Sequence, residues 1–352
     1  MYIYVGVFGV LSLFSVFEYI NRDKKSYFWL SLTMLALLAG LRYKTGYDYV
    51  SYNNFFDKLT HFKNIFDGGI DAEPGYLFLN YLIKNLGMNF SAFVLLFSVT
   101  SIVMLGFCLT KSYPLPMLPL TYYYARFFLV RDMGQIRSSI VSIIFLLSLP
   151  YFKNRQTGKV IMISLIGSLF HSVSLFIILA YLFYLIFGEV SMSKSLVILF
   201  LGTVVGVIFF FPNLYLFLIP ERYQGYLSGY YAQGAWILNP VFLMQVLILL
   251  SAITIIKQKT SLFKESFNLV LVMYLLSTLL LVCFGPLATI GGRIGTIFST
   301  VEIFIVPIVL DHLIKNKLLY LILFLGFTAI IFILIFILSG AYNSYIPYDT
   351  LL

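Results

Sequence analysis

Charged residues are scarce in this chain of 352 residues: Asp, Glu, Lys and Arg together make up 11%. A soluble domain carries about 25% charged residues. Hydrophobic residues make up 61% of the chain, and its mean hydropathy is +0.97. This composition excludes an ordinary soluble globular domain. It predicts an all-α, polytopic integral membrane protein, because helices satisfy their own backbone hydrogen bonds in lipid.

Cysteine and the common cofactor signatures are also sparse or missing. The two cysteines, Cys108 and Cys283, lie in apolar stretches, which argues against a disulfide framework. The sequence has no Walker loop, dinucleotide-binding glycine pattern, serine-nucleophile elbow or metal-ligand spacing. The Asp-x-Asp signature of soluble transferases that use nucleotide sugars is absent too. We therefore expect no cofactor, no metal and no nucleotide-sugar donor.

Apolar stretches long enough to cross a bilayer recur along the chain and predict about 10–12 transmembrane segments in one membrane domain, residues 1–352. Tyr2–Ile20 lacks a basic flank and a cleavage site, so it is predicted as a span and not a signal. Lysine-rich loops mark the cytoplasmic side. They also explain the net charge of +9 without a nucleic-acid partner.

Two long segments then lie on the outer side. Residues 42–90 form an outer loop in which Tyr76–Ile83 is predicted as an interfacial helix. Residues 212–240 form a tyrosine-rich outer loop that includes Arg222 and Tyr223. Tyrosine is typical of membrane interfaces, and its ring also stacks on sugars. Arg222 and Tyr223 are therefore predicted to contact substrate.

One apolar stretch, Val160–Phe187, is too long for a simple span and contains a polar break at Phe170–Ser172. If it crossed the membrane once, the later lysine-rich loops would fall on the outer side. We therefore predict a re-entrant pair of half-helices with His171 near the tip. Non-helical backbone at that depth needs a protein or water-filled environment. A neutral imidazole there could act as a general base.

Several arginines fall on the outer side, where cationic residues are less common. Arg137 begins a span and has no acidic residue one turn away, so it is expected to face a cavity. Arg42 follows a span, and Arg293 lies between glycines before another. A guanidinium group fits phosphate oxygens with two parallel hydrogen bonds. These three arginines predict a site for a phosphate-bearing ligand.

Two acidic residues of the first outer loop are further candidates. Asp48 lies in Gly46-Tyr47-Asp48-Tyr49, and Glu73 precedes Pro74 and Gly75. Acidic residues and proline also favour a helix start, so Glu73 has a purely structural explanation as well. His171, Asp48 and Glu73 all stay open as the base. Tyr47 and Gln135 are predicted to contact substrate.

Five short motifs resemble the EpsG-like polysaccharide polymerases in their order and spacing. They are Leu41-Arg42-Tyr43-x-x-Gly46-Tyr47-Asp48-Tyr49-x-x-Tyr52, Glu73-Pro74-Gly75-Tyr76, Gln135-Ile136-Arg137, Phe170-His171-Ser172-x-Ser174 and Gly292-Arg293-Ile294. The resemblance implies a Wzy-type polymerase of O-antigen, capsule or exopolysaccharide, similar to the lipid-linked (GT-C-like) transferases. It would act at the outer face of the bacterial cytoplasmic membrane. Donor and acceptor would both be glycans on undecaprenyl pyrophosphate, and a chain-length regulator is a further possible partner.

Two other functional classes stay open at this point. A flippase for lipid-linked oligosaccharide would use the same arginines, but transporters often show matching broken helices in two halves. The sequence indicates only one such break, at Phe170–Ser172. A membrane acyltransferase would also use a histidine, but it would need a cytoplasmic acyl donor. The outward position of the arginines argues against that.

Overall fold

The computed structural model describes residues 1–21, 25–211, 214–218, 224, 235–256 and 261–350. Nearly all regular structure in it is helical, so the predicted all-α class is confirmed. The helices are α1 (Tyr2–Asn21), α2 (Lys25–Gly40), α3 (Tyr49–Lys58), α4 (Pro74–Asn85), α5 (Phe90–Ser112), α6 (Met117–Tyr123), α7 (Leu129–Arg131), α8 (Ile136–Lys153), α9 (Thr157–Ser168), α10 (Phe176–Phe187), α11 (Met192–Ile208), α12 (Pro240–Ile256), α13 (Ser261–Cys283), α14 (Ala288–Ser299), α15 (Glu302–Leu313) and α16 (Lys317–Phe332). Two short strands, β1 (Arg42–Tyr43) and β2 (Asp349–Thr350), pair antiparallel.

Within the described residues, five helices have the length and apolar composition to cross a membrane. They are Tyr2–Asn21, Phe90–Ser112, Ile136–Lys153, Ser266–Cys283 and Lys317–Leu338. Other predicted spans correspond to helices of 17 residues or fewer, among them α2, α11 and α12. At 1.5 Å per residue, such helices are somewhat short for a hydrocarbon core of about 30 Å. The chain is a polytopic membrane protein, and the higher crossing count stays a prediction.

Two helical stretches of the described residues are broken. The predicted break in residues 160–187 is confirmed: α9 ends at Ser168, and a 3-10 turn begins at Ser172 before α10. Its return to the same side stays a prediction. A second break separates Gly291–Ser299 from Glu302–Leu313, which are bent by 53°. The expectation of a single break was wrong. Gly291–Gly295 was predicted as a loop before a span, but it lies inside helix α14, so the chain is helical on both sides of the bend.

Contacts divide the chain into two compact units. The first comprises residues 1–147, 165–174 and 314–352, and the second comprises residues 148–164 and 175–313. In the first unit α2 packs along α5, and the small Gly106 lets Leu32 approach closely. In the second unit α13 packs against α11, α12 and α14. The candidate site described below lies within the first unit.

A buried carboxylate joins α1 to α6 in the first unit. Glu18 accepts a hydrogen bond from the Met117 backbone N–H at 2.9 Å, at the start of α6. Nearby, Ser15 and Thr121 share a hydrogen bond between their hydroxyls at 2.7 Å. The first N–H groups of a helix have no partner inside the helix. Glu18 therefore supplies the cap for α6 from a different helix.

Glu18→Ala is expected to lower the free energy of unfolding by about 1–2 kcal/mol, because it leaves the Met117 N–H buried without an acceptor. Thermal unfolding of the purified protein in detergent measures this loss. Glu18→Gln keeps an acceptor oxygen and is the matched control, with a smaller loss. An unchanged melting temperature for Glu18→Ala would contradict the capping role.

Candidate functional site

His171 lies at the break after α9, in the first unit. The chain leaves the helix with His171 N–H donating to Gly167 O at 3.0 Å, and Ser174 N–H then donates to His171 O at 2.9 Å. The side chain of His171 is 16% exposed. The break therefore holds an imidazole that is largely enclosed but still reachable.

The segment Glu73–Tyr76 packs directly against this break, and its residues have separate tasks. Pro74 is the first residue of α4, where its missing N–H costs nothing. Gly75 lies so close that a Cβ atom there would be 2.6 Å from Leu169 Cβ, so only glycine fits. The Tyr76 N–H donates to Leu169 O at 3.0 Å. These contacts fix Glu73 beside His171, although the two residues are 98 positions apart in the chain.

The Glu73 carboxylate makes three polar contacts. Its Oε1 lies 2.8 Å from His171 Nδ1 and accepts a hydrogen bond from Ser172 N–H at 2.9 Å. Its Oε2 accepts a hydrogen bond from the Arg137 guanidinium at 2.5 Å. The side chain makes no capping bond to α4. The helix-start explanation therefore accounts for Pro74, whereas the Glu73 side chain is directed to the histidine and the arginine.

Glu73 is held in its ionised form. Burial opposes its ionisation, but the hydrogen bond from His171, the charge of Arg137 and the Ser172 N–H together lower its pKa from 4.5 to about 2. An ionised carboxylate can only accept hydrogen bonds. His171 Nδ1 therefore carries the proton that faces Glu73. In a neutral imidazole with that tautomer, Nε2 bears the lone pair.

This lowered pKa predicts a pH-dependent contribution to stability. Because the folded pKa lies below the unfolded one, the contribution is complete above about pH 5 and is lost as the pH falls towards 2. Its size is about 3 kcal/mol. Thermal unfolding measures the stability difference between wild type and Glu73→Gln. This difference should shrink as the pH is lowered from about 5 towards 2. A difference that stays constant between pH 6 and 3 would contradict the assignment.

Arg137 was expected to lack an acidic partner, and this was wrong. No acidic residue lies one turn away on α8, but Glu73 is supplied by the start of α4. Three aromatic rings also surround the guanidinium: its central carbon lies 5.5 Å from the centroids of Tyr52 and Tyr76 and 5.7 Å from that of Phe55. Such rings stabilise a cation that has left bulk water.

Tyr52 and Tyr76 belong to two of the sequence motifs, but the sequence alone did not place them in the site. Burial, with the negative charge of Asp48, raises the pKa of Tyr52 to about 12, so its phenol stays neutral and able to donate. The Tyr52 hydroxyl lies 3.5 Å from Asp48 Oδ2. Tyr52 thus connects the predicted Asp48 to the surroundings of Arg137. The spacing of Asp48 and Tyr52 by one turn of α3 is the signal that could have indicated this.

Arg42 lies in a different environment in the first unit. Its guanidinium is only 1% exposed and donates to Ala39 O at the end of α2. The segment that ends in β2 lies alongside it, with Arg42 opposite Thr350 in the ladder and Gly46 N–H donating to Ser344 O at 2.9 Å. The predicted binding of pyrophosphate by Arg42 stays a prediction.

The remaining predicted residues are distributed as follows. Tyr47 is exposed and its ring packs edge-on against Tyr345, with centroids 5.4 Å apart. Gln135 precedes α8 and accepts a hydrogen bond from Ser139 N–H through its backbone. Arg293 lies within α14 in the second unit. Arg222 and Tyr223 lie outside the described residues.

A buried acidic residue that the sequence did not single out lies just before α8. Asp132 accepts hydrogen bonds from the Tyr123 hydroxyl at 2.7 Å and the Ser139 hydroxyl at 2.6 Å. Burial raises its pKa, although these hydroxyls and the charge of Arg131 oppose the shift. Because its oxygens are occupied within the protein, we assign Asp132 to the framework that holds the start of α8.

A family match shows to which proteins this chain is related. The sequence profile of the EpsG family matches residues 25–350, which include Glu73, Arg137 and His171. The chain belongs to the EpsG family. EpsG membership confirms the resemblance seen in the motifs and gives the chain a polysaccharide polymerase function in general terms. No curated protein and no solved structure matches the sequence.

Proposed function

We propose that this EpsG-family protein joins oligosaccharide repeat units carried on undecaprenyl pyrophosphate into a polysaccharide at the outer face of the bacterial cytoplasmic membrane. The observation that carries the proposal is the contact of one carboxylate, Glu73, with both His171 and Arg137. The contact joins a base to a cation in one enclosed place. A base and a cation both accelerate glycosyl transfer between two lipid-linked glycans.

His171 is the general base in this proposal, and Glu73 is its positioning residue. With Nδ1–H directed to Glu73, His171 Nε2 takes the proton from a hydroxyl of the acceptor glycan. The hydroxyl oxygen forms a bond to the anomeric carbon of the donor glycan. The bond from that carbon to the pyrophosphate oxygen breaks, and its electron pair leaves with undecaprenyl pyrophosphate.

Arg137 stabilises the charge that develops on this leaving group. Its hydrogen bond to Glu73 uses one terminal nitrogen, and 18% of the side chain is exposed. The rings of Tyr52, Phe55 and Tyr76 limit its movement. A preorganised donor directed at developing charge is an effective source of catalysis. Pyrophosphate is also a good leaving group, so the proposed step does not require a metal.

The test uses protein purified into lipid nanodiscs and a chemically defined undecaprenyl-pyrophosphate repeat unit. We expect a ladder of products that differ by one repeat unit, resolved by gel electrophoresis and mass spectrometry. Wild-type protein denatured before the reaction serves as the inactive control. If folded wild-type protein with a verified native substrate gives no ladder, the proposed reaction is wrong.

A further inference from the structure

Helix α4, which begins directly after Glu73, has two very different sides. Tyr76, Leu77 and Asn80 are buried against the first unit. Phe78, Leu82 and Leu86 are spaced by four residues and therefore share one side of the helix. All three are between 44% and 63% exposed. The exposed side of α4 is thus opposite to the side that packs on the protein.

This exposed side carries no charged residue, and its one polar residue is the exposed Asn85 at the end of α4. The only charged residue of α4 is Lys84, and its ammonium group donates to the carbonyl oxygens of Phe56 and Asp57 at 2.8 and 3.0 Å. A helix that faces water normally carries charged residues on its outer side. The absence of charge on the exposed side of α4 indicates an apolar environment.

Two further aromatic residues extend this surface. Phe62 and Phe66 are exposed, and their ring centroids are 5.9 Å apart. The Phe62 ring lies 5.6 Å from that of Tyr81, which belongs to α4. We call Phe62, Phe66, Phe78, Leu82 and Leu86 the outer apolar face. Exposed apolar surfaces of this kind mark binding to a protein or a membrane.

The connection to α5 favours a membrane. Only residues 86–89 separate α4 from α5, which has the length and composition of a membrane span. Four extended residues reach at most about 14 Å. On α5 itself Leu96, Val99 and Phe107 are exposed, as expected for a surface in lipid. The outer apolar face is therefore close to the end of a lipid-facing helix.

We infer that the outer apolar face lies in the outer boundary of the bilayer, in contact with phospholipid, and holds α4 parallel to the membrane. The twelve residues of α4 span about 18 Å. A helix parallel to the membrane keeps both of its ends at one depth. Glu73, at the end opposite to Leu86, is then held at the level of the lipid head groups.

The position of α4 in the membrane can also be related to the proposed function. The contact with lipid does not depend on that function, but the following argument rests on it. In a lipid-linked glycan the phosphates lie at head-group level, the hydrocarbon chain lies below them and the sugars lie above. The outer apolar face would set the height of Glu73, and through it that of His171 and Arg137, to match the phosphates. The bond to be broken then lies beside these groups, and the lipid chain of the substrate does not have to leave the bilayer.

The contact with lipid can be measured without any glycan. The chain has two tryptophans, Trp29 and Trp236, which are first replaced by phenylalanine. Leu82→Trp is then introduced, and Asn54→Trp on the exposed polar side of α3 is the matched control. Both proteins are reconstituted in phosphatidylcholine vesicles whose chains carry bromine either near the head group or near the chain end.

Bromine near the head group should lower the fluorescence of the Leu82→Trp protein about twofold, because interfacial helices lie ~5–10 Å inside the head-group boundary. Bromine at the chain end should quench it less, and the Asn54→Trp protein should respond to neither. Lack of quenching at Leu82→Trp would overturn the inference and favour a protein partner on this face. Stronger quenching by the chain-end bromine would overturn the interfacial depth.

A second arm connects the face to activity. Phe78→Asp with Leu82→Asp should reduce ladder formation by membrane-embedded protein while the thermal unfolding temperature in detergent stays near that of wild type. Unchanged ladder formation would overturn the role of the face in catalysis. Quenching needs no substrate, so the two tests can fail separately. If wild-type protein makes no ladder but the Leu82→Trp protein is quenched by the brominated lipid, the proposed function is refuted and the contact with lipid is not.

Discussion

His171→Ala is expected to reduce the rate of glycan extension by about 10²–10⁴-fold, the usual contribution of a positioned general base. The reason is the geometry at the break after α9, where Glu73 accepts the Nδ1 proton and leaves Nε2 for the acceptor hydroxyl. The rate is measured with the defined lipid-linked repeat unit under conditions where the wild type extends steadily. The loss should appear in kcat more than in KM.

The control for this variant is His61→Ala, which removes an exposed histidine between α3 and α4 and should keep wild-type activity. Added imidazole should restore part of the activity of His171→Ala, which a purely structural role would not allow. Glu73→Gln should give a smaller loss, because the amide oxygen can still accept from Nδ1–H but without charge. Extension at the wild-type rate by His171→Ala would refute the assignment of the base.

Arg137→Lys is expected to lower kcat by about 10²-fold, and Arg137→Ala by 10²–10³-fold, the cost of losing one donor to developing negative charge. Lysine keeps the charge and can still pair with Glu73. It lacks the planar fork that donates to two acceptors at once. The lysine variant therefore separates binding of the leaving group from the ion pair that is visible in the structure.

Stability has to be measured beside activity for these variants. Arg137→Ala leaves a largely enclosed carboxylate without its partner, and breaking a buried pair in this way costs about 3–5 kcal/mol. Arg155→Ala, at an exposed position in the second unit, is the matched control and should change neither property. Full activity of Arg137→Lys would show that the arginine acts through the ion pair alone.

The sequence predicted the parts of this site better than their arrangement. His171 was found because a polar residue interrupts an apolar stretch, and the break is where the pattern put it. Glu73 was found in a motif, but its neighbours equally explain a helix start. The contact between Glu73 and His171 distinguishes a functional role from a helix start. It joins residues 98 positions apart, and the periodicity of a single helix cannot predict such a contact.

Arg42 shows the opposite case. Its place just after a span gave it a predicted position on the outer side, where it would bind phosphate. In the structure Arg42 pairs with Thr350, about 300 residues later in the chain, its guanidinium lies 5.9 Å from the centroid of the Tyr49 ring, and the residue is 1% exposed. A two-residue β pairing carries almost no sequence pattern. A pairing between such distant residues could not be predicted from local composition.

The contact between Tyr4 and Tyr345 limits how often the chain crosses the membrane. The Tyr4 hydroxyl donates to Tyr345 O at 2.8 Å, so both residues lie on the same side of the bilayer. The number of crossings between them must therefore be even. Outside residues 160–187 the apolar stretches of the sequence predict ten spans, which is an even number. If each of these predicted spans crosses the bilayer, residues 160–187 contribute no crossing or two, which agrees with the predicted return to the same side after His171.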